Sequence, residues 1–380
     1  MPIALLTMLL ALGAAADTGT TVTGHPPASG LGLSGGAGTH GGASASAGFD
    51  KEIIGRIVHQ HVAEVRRCYE PELAKRPDLF GRVMVQFTVG ANGHVIASAL
   101  QSSTMGNVRV EDCTVQAVRR WEFPKPSGGG IVIASYPFAY IPDTPISLLA
   151  GTHGAGTVAV TVFDLSLIVH RSTDAQGIPA NGLIAVTDHG LLLVDTPWTE
   201  AETEALLKWG ETRLGRPWLG AIITHDHPDR DGGLGALQRR KIPVAGLDLT
   251  VAKLQKRGVR DVTPLFTAKA GVFEDPRGFE AFYPGPGHTS DNIVLKFPHV
   301  LFGGCLLKST EAPDLGFTAD ADLAAWPQSV SRVAARYPNV PIIPGHGPID
   351  RAGASYQHTL DLLARDLLAK TPQGRAASGH

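Results

Sequence analysis

The strongest constraint on this chain is a set of side chains with metal-binding chemistry, most of them placed just after strand-like apolar runs. After LGAIIT at 219–224 come His225, Asp226, His227, Pro228, Asp229 and Arg230. Two histidines one residue apart on a loop leaving a strand can turn to one ion, and a carboxylate two residues further on can reach a second ion beside it. That loop alone is only moderately specific, because a histidine pair in a loop is often ordinary surface. Three later segments supply the missing donors: His288 in PGPGHTSDN, Cys305 at the end of VLFGGC, and His346 in IIPGHG. Four histidines, one carboxylate and one thiolate make two three-donor sets. Each set leaves positions open for water, as a catalytic zinc requires and a structural zinc does not.

Composition limits what surrounds these donors. At about 150 residues per domain, 380 residues argue for two or three domains. A hydrophobic fraction of 43% excludes a wholly disordered chain. The 33 Lys and Arg nearly cancel the 35 Asp and Glu, so no nucleic-acid partner is expected. Three cysteines are too few for a disulfide scaffold, and no two of them stand at CxxC spacing.

The first 49 residues read as something other than fold. Residues 2–16, PIALLTMLLALGAAA, are apolar, uncharged and shorter than the ~20 residues of a membrane span, and they end in small residues before Asp17. We read 1–16 as a secretory signal; the absence of Lys or Arg before the apolar run leaves an uncleaved anchor or an apolar cytosolic helix as alternatives. From Thr18 to Phe49 there is no charged residue, and Gly, Ser, Thr and Ala dominate. This predicts a structureless tether over 17–49. A second disordered segment is expected at 371–380.

Residues 50–143 read as a small α+β domain. Apolar residues recur at helical spacing from Ile53 to Tyr69, then Val83 to Val89 alternate, Gly90–Gly93 supplies a turn, and Val95 to Leu100 returns. Val110 to Trp121 restore the helical period before a last strand at 131–138. His59, His61 and His94 are read as solvated or packing histidines. Cys68 and Cys113 both fall toward apolar faces and are disulfide candidates, with two buried free thiols as the alternative. The runs CYEPELAKRPDLFGRVMVQFTVGANGHV and VEDCTVQAVRRWEFPKP with a closing YPF resemble the TonB carboxy-terminal-like domain of myxobacterial gliding-motility and envelope proteins. The resemblance implies periplasmic residence and an envelope-protein or cell-wall partner, with strand addition at an open sheet edge as a route to contact.

From 144 to 370 the motifs HxHxDR, PGHT, GGC and PGHG, in that order, resemble class B metallo-β-lactamases of the subclass with two zincs and a cysteine ligand. That resemblance implies an αββα sandwich and zinc-dependent cleavage of the β-lactam amide, and hence antibiotic resistance, by a metal-bound hydroxide. It implies two Zn2+ per chain, the first on His225, His227 and His288, the second on Asp229, Cys305 and His346. It gives Asp229 a part in protonating the leaving nitrogen, makes Lys308 the partner of the substrate carboxylate, and makes 170–179 a flap over substrate. Asp195 and Arg230 are expected to orient the ligands, with a buried structural ion pair as the competing account. Where these enzymes have DLGN, this chain has DLGF, so Phe317 lines the substrate side without an amide to assist the oxyanion. Two further readings stay open: a thioesterase or lactonase on the same fold, and an envelope binding protein whose zinc domain is structural.

Overall fold

The computed structural model describes residues 44–45, 51–149, 156–276 and 278–370. The expected signal segment, the tail 371–380 and the tether apart from Ser44 and Ala45 lie outside the described residues. Those two residues correct the expectation of a structureless tether at one point. They form strand β1 (Ser44–Ala45), antiparallel to Ala134 and Ser135. Backbone pairing with a sheet edge needs no apolar side chain, so composition does not report it.

The first domain runs α1 (Lys51–Gln60), α2 (Val62–Leu73), β2 (Gly81–Val89), β3 (Val95–Ser103), α3 (Val108–Arg119) and β4 (Val132–Tyr140). Its antiparallel sheet has the order β1-β4-β2-β3. The expected single helix over 53–69 is broken at His61, whose ring stacks on Trp121 with centroids 4.7 Å apart. Ile54, Val58, Val65 and Tyr69 cover the inward face of β2, where Val83, Val85, Phe87 and Val89 alternate with more exposed residues. Asn107 caps α3 by accepting from the Val110 amide at 3.1 Å.

Cys68 and Cys113 form a disulfide that ties α2 to α3, their Cα atoms 5.5 Å apart and their positions 45 residues apart in sequence. A loop of that length restrains the unfolded chain by roughly 4 kcal/mol. Replacing both cysteines by alanine should therefore lower the urea midpoint of the first domain by the equivalent of several kcal/mol. An unchanged midpoint would contradict that assignment of stability.

The second domain opens with a meander of antiparallel strands: β5 (Ile146–Leu149), β6 (Thr157–Val162), β7 (Leu167–Thr173), β8 (Pro179–Val186) and β9 (Leu191–Val194). It continues through α4 (Glu200–Trp209), β10 (Trp218–Ile223), the short α5 (Pro228–Asp231), α6 (Leu234–Arg239), β11 (Val244–Leu247), α7 (Asp248–Lys256) and β12 (Val262–Phe266). These strands form one sheet, β12 to β5 in reverse order, parallel from β9 to β12. β9 is LLLV and wholly buried because both faces of the sheet are covered.

A second sheet holds β13 (Val272–Asp275), β14 (Phe279–Phe282), β15 (Val294–Phe297), β16 (Val300–Gly304) and β17 (Ile342–Pro344), with α8 (Trp326–Arg336) and α9 (Ser355–Lys370) outside it. Leu183, Val194 and Ile222 of the first sheet pack on Leu295, Phe302 and Ile343 of the second. Leu206, Leu237 and Leu254 close the outer face of the first sheet, and Trp326, Val330 and Leu362 that of the second. The layers are therefore helix, sheet, sheet, helix, as expected. Among the described residues no helix is long and apolar enough to cross a membrane.

The two domains share apolar packing. Phe80 and Ile141 of the first join Ile146, Leu206 and Leu207 of the second in one cluster. Arg213, in a π-helical turn after α4, lies over the Phe80 ring at 4.1 Å and donates to the carbonyls of Asp78 and Phe80 at 2.9 and 2.5 Å. Phe80→Ala should cost about 3 kcal/mol at this junction and split thermal unfolding of the full chain into two transitions. A single, unshifted calorimetric transition would refute the coupling.

Candidate metal centre

β9 and β10 run parallel, as do β16 and β17, so the loops that leave them open on the same side of each sheet. His225, Cys305 and His346 follow β10, β16 and β17, and His288 precedes β15. His227 is extended and Pro228 starts α5, which brings Asp229 and Arg230 into a buried first turn. Gly345 lets the last loop close in, because a Cβ there would lie 2.8 Å from Cys305 Sγ.

The six expected donors come together. Ligand atoms of Asp229, Cys305 and His346 lie within 4.8 Å of one another, as do those of His225, His227 and Asp229, and those of His225, His288 and Cys305. The three histidine rings meet nearly edge to face, with centroids 4.8 to 5.1 Å apart. Oδ2 of Asp229 is the point of convergence: Cys305 Sγ donates to it at 3.2 Å and His346 Nε2 lies at 3.1 Å. Imidazole, carboxylate and thiol are zinc's ligand types, and zinc fits this donor set. His288 adds a buried Nδ1 with no hydrogen-bond partner among the described residues.

Charge is arranged to match. Burial drives His225 down to about 3 and His288 well below the ordinary range, so both are neutral and present lone pairs. Burial alone would raise Asp229, but Arg230 and then His346 outweigh it and keep the carboxylate ionised. Burial pushes the Cys305 thiol up, so it keeps its proton and donates it to Asp229. A cation bound there would displace that proton.

Around the donors, Arg230 is fully buried. It reaches Asp229 Oδ2 with Nε at 2.7 Å, Asp195 Oδ2 at 3.3 Å, and the carbonyls of Asn181 and Gly345 at 2.5 and 2.9 Å. Asp195 accepts from the Thr224 amide and hydroxyl, both at 2.8 Å, beside His225. Lys308 is buried with its Nζ 5.3 Å from the Trp326 ring centre, and burial lowers its ammonium. Phe317 is 59% exposed and meets the His227 ring edge on at 5.3 Å. In the stretch 170–179 Arg171 and the turn between β7 and β8 are exposed, with Ile178 exposed at the base of that turn, whereas His170 is buried.

Sequence reasoning missed several contacts here. Asp320 Oδ2 lies 3.0 Å from His227 Nε2, and Asp291 Oδ2 accepts from the Asp226 amide at 3.0 Å, joining the two histidine loops. Asn181 Nδ2 donates to the carbonyls of Pro344 and Gly347 at 2.9 and 2.8 Å. The only available signal was adjacency, Asp291 three residues past His288 and Asp320 three past Phe317.

Two facing sheets with histidine, carboxylate and thiol donors gathered at strand ends define a metal-site αββα protein. Residues 176–372 match the metallo-beta-lactamase superfamily model and residues 69–142 the model of the Gram-negative bacterial TonB protein C-terminal. The chain belongs to the metallo-beta-lactamase superfamily, with a TonB C-terminal-like domain ahead of it. It is 38% identical over 215 residues to a metallo-beta-lactamase type 2 of Bacillus sp. (strain 170), covering 55% of this chain and 83% of that one. It is 36% identical over 190 residues to a metallo-beta-lactamase type 2 of Bacteroides fragilis, covering 49% and 76%. Among solved structures, a metallo-beta-lactamase from Pontibacter korlensis is 38% identical at a TM-score of 0.51, covering 55% of this chain and 99% of that one. The metallo-beta-lactamase FIM-1 from Pseudomonas aeruginosa in its mono-zinc form is 31% identical at a TM-score of 0.53, covering 57% and 99%.

Proposed function

We propose that this protein hydrolyses the β-lactam amide bond, using two zinc ions held by His225, His227 and His288 and by Asp229, Cys305 and His346. The observation that carries the reading is the meeting of a carboxylate, a thiol and an imidazole at one point beside three further imidazoles. Relatives named metallo-beta-lactamase over about half the chain support the substrate class. Zinc in such a site supplies a Lewis acid and acidified water. The protein's own residues do the rest. His227 is oriented by Asp320, Asp229 by Arg230, and Lys308, buried with its Nζ over the Trp326 ring, is the group assigned to the substrate carboxylate. Phe317 covers the metal side without offering a hydrogen bond to the oxyanion.

In this reading 1–16 is a signal, 17–49 a tether, 50–143 the TonB-like module and 144–370 the enzyme, resident in the periplasm. The TonB-like module supports an envelope contact. Phe317 favours a second reading, a related hydrolase of thioesters or lactones. Purified full-length protein should hydrolyse a chromogenic cephalosporin, lose that activity to a chelator and regain it with zinc. No turnover by zinc-loaded protein, with cleavage of a thioester or lactone instead, would replace the first reading with the second.

A further inference from the structure

His170 lies in β7, under the exposed turn, and no step of the proposed chemistry uses it. It is 1% exposed. Its cross-strand partner on β8 is Gly182, and the imidazole passes through the space that glycine leaves: a Cβ on Gly182 would lie 2.2 Å from His170 Nε2 and 2.4 Å from Cε1. The ring thereby reaches past β8 to the end of β9, where Nε2 is 3.1 Å from the Asp195 carbonyl oxygen and 3.3 Å from that of Val194. Both neighbours are acceptors, so Nε2 carries the hydrogen. Burial lowers this imidazole to about 4, which keeps it neutral with a single N–H to give.

The residue it holds is strained. Asp195 has φ 57°, a left-handed conformation that costs a non-glycine residue roughly 1 to 3 kcal/mol and persists only where its surroundings impose it. Its amide donates to the Ile222 carbonyl at 2.9 Å and its carbonyl accepts from His170. Held at both ends, Asp195 aims its carboxylate at Thr224 and at Arg230. Arg230 in turn grips Asp229 and the Gly345 carbonyl beside His346.

We propose that His170 is a positioning residue for the Asp229, Cys305 and His346 donor set, acting through the backbone of Asp195 and the guanidinium of Arg230. The inference rests on the ligand reading above. It assigns to a buried β7 histidine control over one half of the metal centre, and it explains why β8 carries a glycine opposite that histidine.

The test is Co(II) titration of metal-free full-length protein. Thiolate-to-Co(II) charge-transfer absorption reports Cys305, and d–d absorption reports total occupancy. His170→Leu should weaken the thiolate-linked equivalent about tenfold or more, the range seen when a group orienting a ligand is removed. The other equivalent should change less than about threefold. His170→Gln, which keeps an N–H at similar reach, should recover most of the lost affinity. Equal affinities in His170→Leu and the parent, equal weakening of both equivalents, or a glutamine variant as weak as the leucine one would each overturn the proposal. Parent protein with no thiolate absorption would overturn the ligand reading and this inference together, which separates the two failures.

Discussion

Replacing Asp229 by asparagine should lower turnover of a chromogenic cephalosporin by about 10²- to 10³-fold, the scale of losing one strongly placed polar group in an active site. One oxygen of this side chain meets Arg230 at 2.7 Å, His346 at 3.1 Å and the Cys305 thiol at 3.2 Å. An amide there keeps one oxygen that can accept these hydrogen bonds, but it is neutral, so the charge that pairs with Arg230 and would bind a cation is lost. Zinc would lose its only carboxylate ligand in this set, and metal content should fall toward one ion per chain. Steady-state kinetics with metal analysis on the same sample checks both. Full activity with two ions bound would remove Asp229 from the proposed site.

Arg230→Met should destabilise the metal-free protein by about 3 to 5 kcal/mol, the usual cost of removing one partner of a buried ion pair. The Arg230 and Asp195 side chains are fully buried and that of Asp229 nearly so. Methionine keeps much of the volume but leaves two carboxyls and the carbonyls of Asn181 and Gly345 without their cation. The pH dependence follows from Asp229, which Arg230 holds below its ordinary value of 3.8. A carboxyl with a depressed folded pKa contributes stability above its unfolded pKa and loses it as pH falls through the folded one. Without Arg230 burial raises this carboxyl, so the variant takes up its proton at higher pH than the parent does, and the gap should be largest near neutrality and narrow progressively as pH falls toward and below about 4. Urea titrations at several pH values in the presence of chelator measure it. A constant gap would mean that packing, not charge, holds Arg230 in place.

Much of this architecture is legible in the chain because it is local. Val83 to Val89 alternate because one face of β2 is buried, and LLLV at 191–194 is uniformly apolar because β9 is covered on both sides. Histidines flanked by Pro and Gly after apolar runs announce loops at strand ends. The helix break at His61 was not legible, and the ring on which His61 stacks belongs to Trp121, sixty residues later. Nor was β1, whose pairing depends on backbone groups of β4 and on no property of Ser44 or Ala45. Phe80 looked like a residue of the first domain, yet it packs with Leu206 and Leu207 of the second.

The sequence by itself determined the donor types and the loops that carry them, since residue chemistry and apolar periodicity are written along the chain, while the layer order of the second domain followed only from the resemblance that its motifs carry. Only the tertiary structure decided which donors share a point, that Asp229 is where three groups converge, and that Asp320, Asp291 and His170 stand behind them. Those relations are set by the register of strands and the crossing of two sheets. Hydrogen bonds and charge fall off over a few ångströms in space, and residues over a hundred positions apart, such as Asp229 and His346, come within that range only when the strands that carry them are packed.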